Sequence, residues 1–431
     1  MTSLHNACRY FVASGCRIWP IASLLSALLL RPAAAEDNWP QWRGPTGDGV
    51  GATCDYPAEF SPNKNVMWRA SLPGRGSSTP AVWGDRIYVT CDVDQQDVVA
   101  CYGLDGKERW QKTLGPGRAG RHKNGSGSNP SPVTDGRVVV VYFKSGRVAC
   151  LTADGRELWS RNLQKEYGED TLWWDLGTSP VLVEGKAIIA VMHEGESYLV
   201  ALDLNSGDVV WREQRQYERP PESDQAYTTP NVTTLNGQTQ LVVWGADHLT
   251  GHRVDSGDLI WEVSGFNPKN EGMQRVIASS AVSDGVAVVP FGRGDFLAAV
   301  ALGTVGDLQA ERLWIKEGLG ADVPTPVAKD GKVYVLTDRG GVHCLDLKSG
   351  RELWSANLPR GRAKFYASPM LCGEKLCCAR EDGAVFIGRV GDKGFQLLAE
   401  NQLDEQLLAT PLPIRNTLLV RTEGHLYRFG K

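Results

Sequence analysis

Lys332 to Leu358 reads KVYVLTDRGGVHCLDLKSGRELWSANL. Apolar residues cluster in short runs of strand length, and turn residues punctuate them at Asp338-Arg339-Gly340-Gly341 and Asp346-Leu347-Lys348-Ser349-Gly350. The stretch is a strand, a Gly turn, a strand, an Asp-to-Gly turn, and a strand bearing Trp354. Arg137 to Leu163, RVVVVYFKSGRVACLTADGRELWSRNL, repeats the plan and carries Trp159 in the same place.

Each unit opens with one more short strand, marked by Ser or Thr before Pro. The mark stands at Thr79-Pro80, Ser131-Pro132, Ser179-Pro180, Thr229-Pro230, Ser279-Ser280, Thr325-Pro326, Ser368-Pro369 and Thr410-Pro411, eight times at spacings of 42 to 52 residues, with Ser280 in place of the Pro in the fifth. The outer-strand indole recurs as Trp110, Trp159, Trp211, Trp261, Trp314 and Trp354, and the seventh unit lacks it. Proline gives up a ladder donor, so the marked strand belongs at an edge, and the large indole suits the wedge between neighbouring sheets. Repeats of this length with four strands each predict a β-propeller.

The eighth unit stops after three strands, and Asn65-Val66-Met67-Trp68-Arg69-Ala70 has the look of its missing fourth. The reading is therefore an all-β, eight-bladed propeller over residues 65–431, with the N-terminal strand and Trp68 closing the last blade. Seven blades is the alternative count. The fifth unit, where TVGDLQAERLW departs from the pattern, is the weakest.

Ahead of the ring, residues 36–64 are read as an extended segment and residues 1–35 as a cleavable signal peptide. Arg9 and Arg17 precede an apolar run, Ile18 to Leu30, which is followed by Ala33-Ala34-Ala35. That run is 13 residues long, whereas a spanning helix needs roughly 20. The chain is thus expected in the periplasm or secreted, with no membrane span once processed. A formal net charge of −4 across 431 residues speaks against a nucleic-acid binder. Eight cysteines follow the signal, and their spacing fits no zinc pattern or small disulfide scaffold. A Cys91–Cys101 bond across one hairpin stays open. Cys377-Cys378 lie on one strand, where neighbours face opposite sides, and read as small core residues.

Ala201-x-Asp203-x-x-Ser206-Gly207-x-x-x-Trp211 resembles the tryptophan-docking motif of the quinoprotein-type (PQQ-repeat) propellers, and Asn38-Trp39-Pro40-Gln41-Trp42-Arg43-Gly44-Pro45 resembles the opening of many exported members. The resemblance covers residues 38–431 and implies the fold. It leaves two classes of activity open. One is the PQQ-dependent dehydrogenases, which hold the quinone and calcium in the central funnel. The other is non-catalytic and includes the outer-membrane assembly component BamB.

Strand alternation puts the links between blades and the turns from second to third strands on one face. The long links, Gly115 to Ser128, Gln164 to Gly177, Gln216 to Tyr227 and Gly265 to Ile277, all fall there. Long loops on a rigid scaffold are where binding concentrates. Candidate face residues are Arg118, Arg121 and His122 on the first link, and Tyr167, Asp170, Trp173, Trp174 and Asp175 on the second. Arg219 and Asp224 follow on the third, and Asn270 and Arg275 on the fourth. For a quinone, Trp173 or Trp174 would stack, and Asp175 or Asp224 would ligate calcium. No ordered match to the dehydrogenases' catalytic motifs is present. No catalytic residue, metal site or cofactor is therefore expected, with PQQ and calcium entering only on the alternative reading. His122, His193 and His248 map to the same face without ligand-like spacing, and Arg293-Gly294-Asp295 reads as a plain turn.

The expectation is an exported, non-catalytic binding or scaffolding propeller, monomeric. Its partner would be another envelope or extracellular protein, or a small ligand. The alternatives are a PQQ-dependent oxidoreductase and an assembly factor similar to BamB. A lipid-anchor Cys after the apolar run is missing, which counts against a close match to the latter.

Overall fold

The computed structural model describes residues 38–431 apart from 53–54 and 307–308, so residues 1–35, read above as a signal peptide, and Cys54 lie outside the described residues. Among the described residues, the repeats fold into eight four-stranded antiparallel sheets in a ring. The first blade is Ala81–Trp83, Arg86–Val93, Gln96–Gly103 and Glu108–Pro116, from the axis outward. The irregular fifth unit is a complete blade, Ala281–Ser283, Val286–Phe291, Phe296–Ala301 and Glu311–Glu317, so the count of eight holds. In the last blade, Val66–Ser71 pairs antiparallel with His425–Phe429, with Arg69 opposite Tyr427.

At five of the eight joints an outer-strand indole locks one blade to the next. Trp159 Nε1 donates to Leu204 O, Trp211 to Val254 O and Trp314 to Leu347 O, each at 3.0 Å. Trp110 donates to Ala153 O at 3.0 Å, and Trp68 to Leu104 O at 2.8 Å, which joins the closing strand to blade one. Beneath each ring lies a glycine of the neighbour's Asp-to-Gly turn. Gly207 has φ +77°, and a Cβ there would sit 2.6 Å from the Trp159 ring. Glycine meets both demands at once, left-handed backbone and no side chain.

Three joints depart from this, the one after blade seven because its outer strand carries no indole. Trp261 donates to Gln240 Oε1 at 2.7 Å, and Gln240 Nε2 donates to Gly303 O of blade five at 3.0 Å, so an amide relays the contact. Trp354 packs on Tyr334 at 6.0 Å, and blade seven's hairpin reaches blade six through Asp392 and Lys332, 2.7 Å apart.

The opening marks also form an inner ring. Thr79 N–H donates to Ser131 Oγ, Ser131 N–H to Ser179 Oγ, and Ser179 N–H to Thr229 Oγ1, all at 2.9 Å. The pattern continues through Ser279, Thr325 and Ser368, and Thr410 N–H returns to Thr79 Oγ1 at 3.2 Å. An edge strand on the channel has no neighbour to take its N–H, and the next blade's hydroxyl supplies the acceptor.

The segment ahead of the ring closes the lower end of the channel. Trp39 bridges Val82 of blade one, Pro40 O accepts from Thr134 N–H of blade two, and Gly47 O accepts from Asn231 of blade four. Arg43 donates to Pro326 O at 2.5 Å and Pro369 O at 2.8 Å, and Val50–Gly51 adds a parallel strand to blade seven. Arg43 is wholly buried, which lowers its pKa to about 10. Its guanidinium is held by carbonyl oxygens there.

Of the cysteines, Cys91 and Cys101 are separate buried thiols, and Cys372 is disulfide-bonded. Cys377 and Cys378 are also free and buried, and they enter two different core clusters, as opposite-facing neighbours must. No described helix is long and apolar enough to cross a membrane.

Candidate functional site

The links between blades crowd the upper face, where they wall a cavity over the channel. The upper space, about 320 Å³, is lined by His122, Trp174, Arg275, Asp322, Asp338 and Tyr366, among others. A lower space of about 220 Å³ shares Asn124, Asn129, Trp174, Asp175 and Tyr366 with it, and descends past the hydroxyl ring to Trp42. The channel is therefore a cup with an aromatic residue at its floor.

Each wall is built by local bonding. Asp175 accepts the backbone N–H groups of Arg121 at 2.8 Å and His122 at 2.9 Å, and it pairs with Lys144, both side chains being buried. Lys144 also donates to Ala119 O at 2.9 Å. This knot shapes the first link. In the second, a short helix, Leu163–Tyr167, begins at Asn162, whose side chain accepts from Lys165 N–H. Arg118 lies 3.4 Å from Asp170, and Arg121 donates to Leu172 O at 3.0 Å.

Trp174 stands at the mouth, 39% exposed, with its indole N–H on Glu222 Oε1 at 2.7 Å and the His122 ring edge-on at 5.5 Å. Trp173 beside it is 44% exposed. Glu222 is fully buried at a left-handed φ of 64°, and the Arg275 Nε lies 3.4 Å from it. Arg275 spans onward to Asp322 at 3.1 and 3.2 Å. Asp322 N–H donates to Asp338 Oδ2 at 2.7 Å, and burial, with the Asp322 charge adding to it, raises the Asp338 pKa.

Of the twelve sequence candidates, the structure brings His122, Trp174, Asp175 and Arg275 to the cavity wall, with Trp173 beside them. Arg118, Arg121 and Asp170 brace the links behind. Tyr167 packs edge-on to Tyr198 at 5.3 Å, under the Arg212 guanidinium. Arg219 pairs with Asp247 at 2.8 Å. Asn270 is an exposed turn residue, and Asp224 is half-buried with its pKa raised by burial. His193 bonds Thr171 and His248 stacks on Tyr217 at 3.6 Å, so the three histidines do not converge. Arg293 does sit in the expected turn, yet it also lines the cavity. Sequence reasoning missed Asp322, Asp338, Lys364 and Tyr366, which come from short links and turns of blades five to seven. It also missed Trp42 at the floor.

The two carboxylates that the sequence offers for calcium are not brought together at the cavity wall. The Asp175 carboxylate is taken by one ammonium and two backbone N–H groups, and Asp224 is not part of the cavity wall. Among the described residues, no three His, Cys, Asp or Glu side chains group as a metal site.

A family model described as outer membrane protein assembly factor BamB matches residues 59–221, 94–356 and 301–394. BamB of Burkholderia pseudomallei is 25% identical over 375 residues, covering 76% of this chain and 89% of that protein. The crystal structure of BamB from Moraxella catarrhalis superposes with a TM-score of 0.61 at 17% identity, over 85% of this chain and 99% of the other. Quinohemoprotein alcohol dehydrogenase from Comamonas testosteroni gives 0.64 at 13% identity, over 91% and 80%. At such identities the two structures speak for the fold alone. The matched segments run through the repeats of most blades, and on that ground the chain belongs to the BamB-type family of PQQ-repeat β-propellers.

Proposed function

We propose that this protein is an exported, non-catalytic binding or scaffolding module that holds a partner on its upper face. The observation that carries the reading is the pair Trp173 and Trp174, both substantially exposed at the mouth of a floored cavity whose walls are braced from behind. Exposed indoles on a rigid rim are the usual anchors of a protein interface. The BamB relatives support a partner in the cell envelope, and assembly work at the outer membrane is the nearest specific version of that role. The signal-like residues 1–35 support a periplasmic or secreted location.

The test is affinity capture from envelope extract with the wild-type chain, a Trp173→Ser/Trp174→Ser variant and a lower-face control, Arg253→Ala. A partner held by wild type and control but lost by the tryptophan variant is the expected result. Capture that ignores the tryptophan change overturns the upper-face reading. Incubation with PQQ and calcium, followed by dye reduction with alcohols or sugars, is expected to give no turnover. Turnover there would replace a scaffold with an oxidoreductase.

A further inference from the structure

The rim of the cup is electrostatically lopsided. Arg293, Arg339, Arg360, Arg362 and Lys364 are all exposed on adjoining upper loops of blades five to seven. Arg293 and Lys364 line the cavity itself, and Arg339 follows Asp338, another wall residue. Phe365 N–H donates to Asp338 O at 3.0 Å, which fastens the link carrying Arg360, Arg362 and Lys364 against the turn carrying Arg339. None of these five cations has a carboxylate partner among the described residues, and three nearby acids are engaged with other cations. Asp322 serves Arg275, Asp382 serves Arg380, and Glu381 faces Lys123 at 3.5 Å. Unpaired like charges side by side repel one another, so an anionic partner relieves the crescent.

The cavity inside the crescent has a different character. It presents an acceptor in Asp338, amides in Asn124 and Asn129, and rings in Trp174 and Tyr366. A bare phosphate cluster or a flat lipid surface uses the cations but not these groups. A polypeptide uses both, placing acidic side chains on the rim while its amides, hydroxyls or a ring enter the cup. We propose that the upper face binds an acidic polypeptide segment, held by the cation crescent of blades five to seven and inserting into the cup beside Trp174. The proposal rests on the binding-module reading above and names the chemistry of its partner.

The test uses the full propeller and a short fluorescent peptide of Asp, Glu and Ser with one Phe. Its controls are the same peptide with Asn and Gln in place of the acids, phosphatidylglycerol vesicles, and single-stranded oligothymidylate. The acidic peptide is expected to bind, to weaken with added salt, and to bind about tenfold more weakly to an Arg339→Glu/Arg360→Glu/Arg362→Glu variant. All three positions are exposed, so an unchanged thermal transition shows that the variant folds. A Trp174→Phe variant, which keeps a ring but loses the Glu222 bond, is expected to weaken the acidic peptide without altering its salt dependence. No acidic-peptide binding, equal binding of the amide peptide, or indifference to the triple reversal overturns the proposal. Vesicles or oligonucleotide bound as tightly as the peptide overturn it too, in favour of a general anion surface. If envelope capture through Trp173 and Trp174 persists while the peptide fails, the binding module stands and this partner chemistry falls.

Discussion

On the lower face, Trp159 meets Gly207 and Trp211 meets Gly257 in the same way, indole over a left-handed glycine with its N–H on a turn carbonyl. On the upper face the first link hangs on the buried Lys144–Asp175 pair, and the fourth on Arg275 between Glu222 and Asp322. The lower contacts are interchangeable and recur at five of the eight joints. The upper ones are singular, each holding one loop in one shape. A fold built this way gains robustness from repetition below and keeps individuality for recognition above.

The sharpest way to break the upper half is Lys144→Ala. It strands a buried carboxylate, and loss of about 3–5 kcal/mol is expected in denaturant unfolding. Hydrogen exchange is expected to rise first in residues 117–128, where Asp175 holds the N–H groups of Arg121 and His122. Equal loosening of a distant blade would contradict the singular role given to that pair.

The two halves meet at His252. Its Nδ1 bonds Gly257 O of a lower turn, and its Nε2 bonds Thr250, which also accepts from Arg215, the residue just ahead of the third link. Burial, helped by the Arg215 charge, lowers the His252 pKa from 6.5 to about 4. The folded state therefore binds fewer protons than the unfolded one between those values, and stability falls as pH drops through that window. The loss is about 3 kcal/mol on full titration. Unfolding midpoints from pH 7 to pH 4 check this, with His252→Gln expected to flatten the slope.

Gly207→Ala tests the lower half. The new Cβ would meet the Trp159 ring at 2.6 Å on left-handed backbone, and a cost of about 2 kcal/mol is expected. The same change at Gly306, which has no neighbour within 4 Å among the described residues, adds the backbone strain without the clash and is expected to cost about half as much. The smallest effect belongs to Trp314→Phe, which keeps a ring but forgoes the bond to Leu347 O, about 1 kcal/mol by thermal unfolding.

The lower half was the legible one. Period-two strands, the recurring Trp and the Asp-to-Gly turn are short-range patterns, and they led to eight blades and to the closing strand at Trp68. The Trp261 joint was not legible, because its bond passes through Gln240, a side chain 21 residues away. The Ser and Thr of the opening marks were visible as punctuation, but their bonds to the next blade became apparent only with the strands in place. On the upper face, link length led to Trp173, Trp174 and Arg275. It passed over Asp338 and Lys364, since a ring brings every blade equally close to its axis, including those with short links. The Trp39-to-Gly51 plug has no periodicity to read, because its shape is dictated by the blades it touches.

That plug turns traffic through the molecule into a one-door problem. With Arg43 fastened to two inner strands and Trp42 facing the space above, whatever enters the axis leaves by the way it came. Residence time in the cup is then governed by the same rim that selects the visitor, so arrival and escape share one gatekeeper. A variant that loosened the plug would uncouple them, opening a second exit while leaving the entrance unchanged.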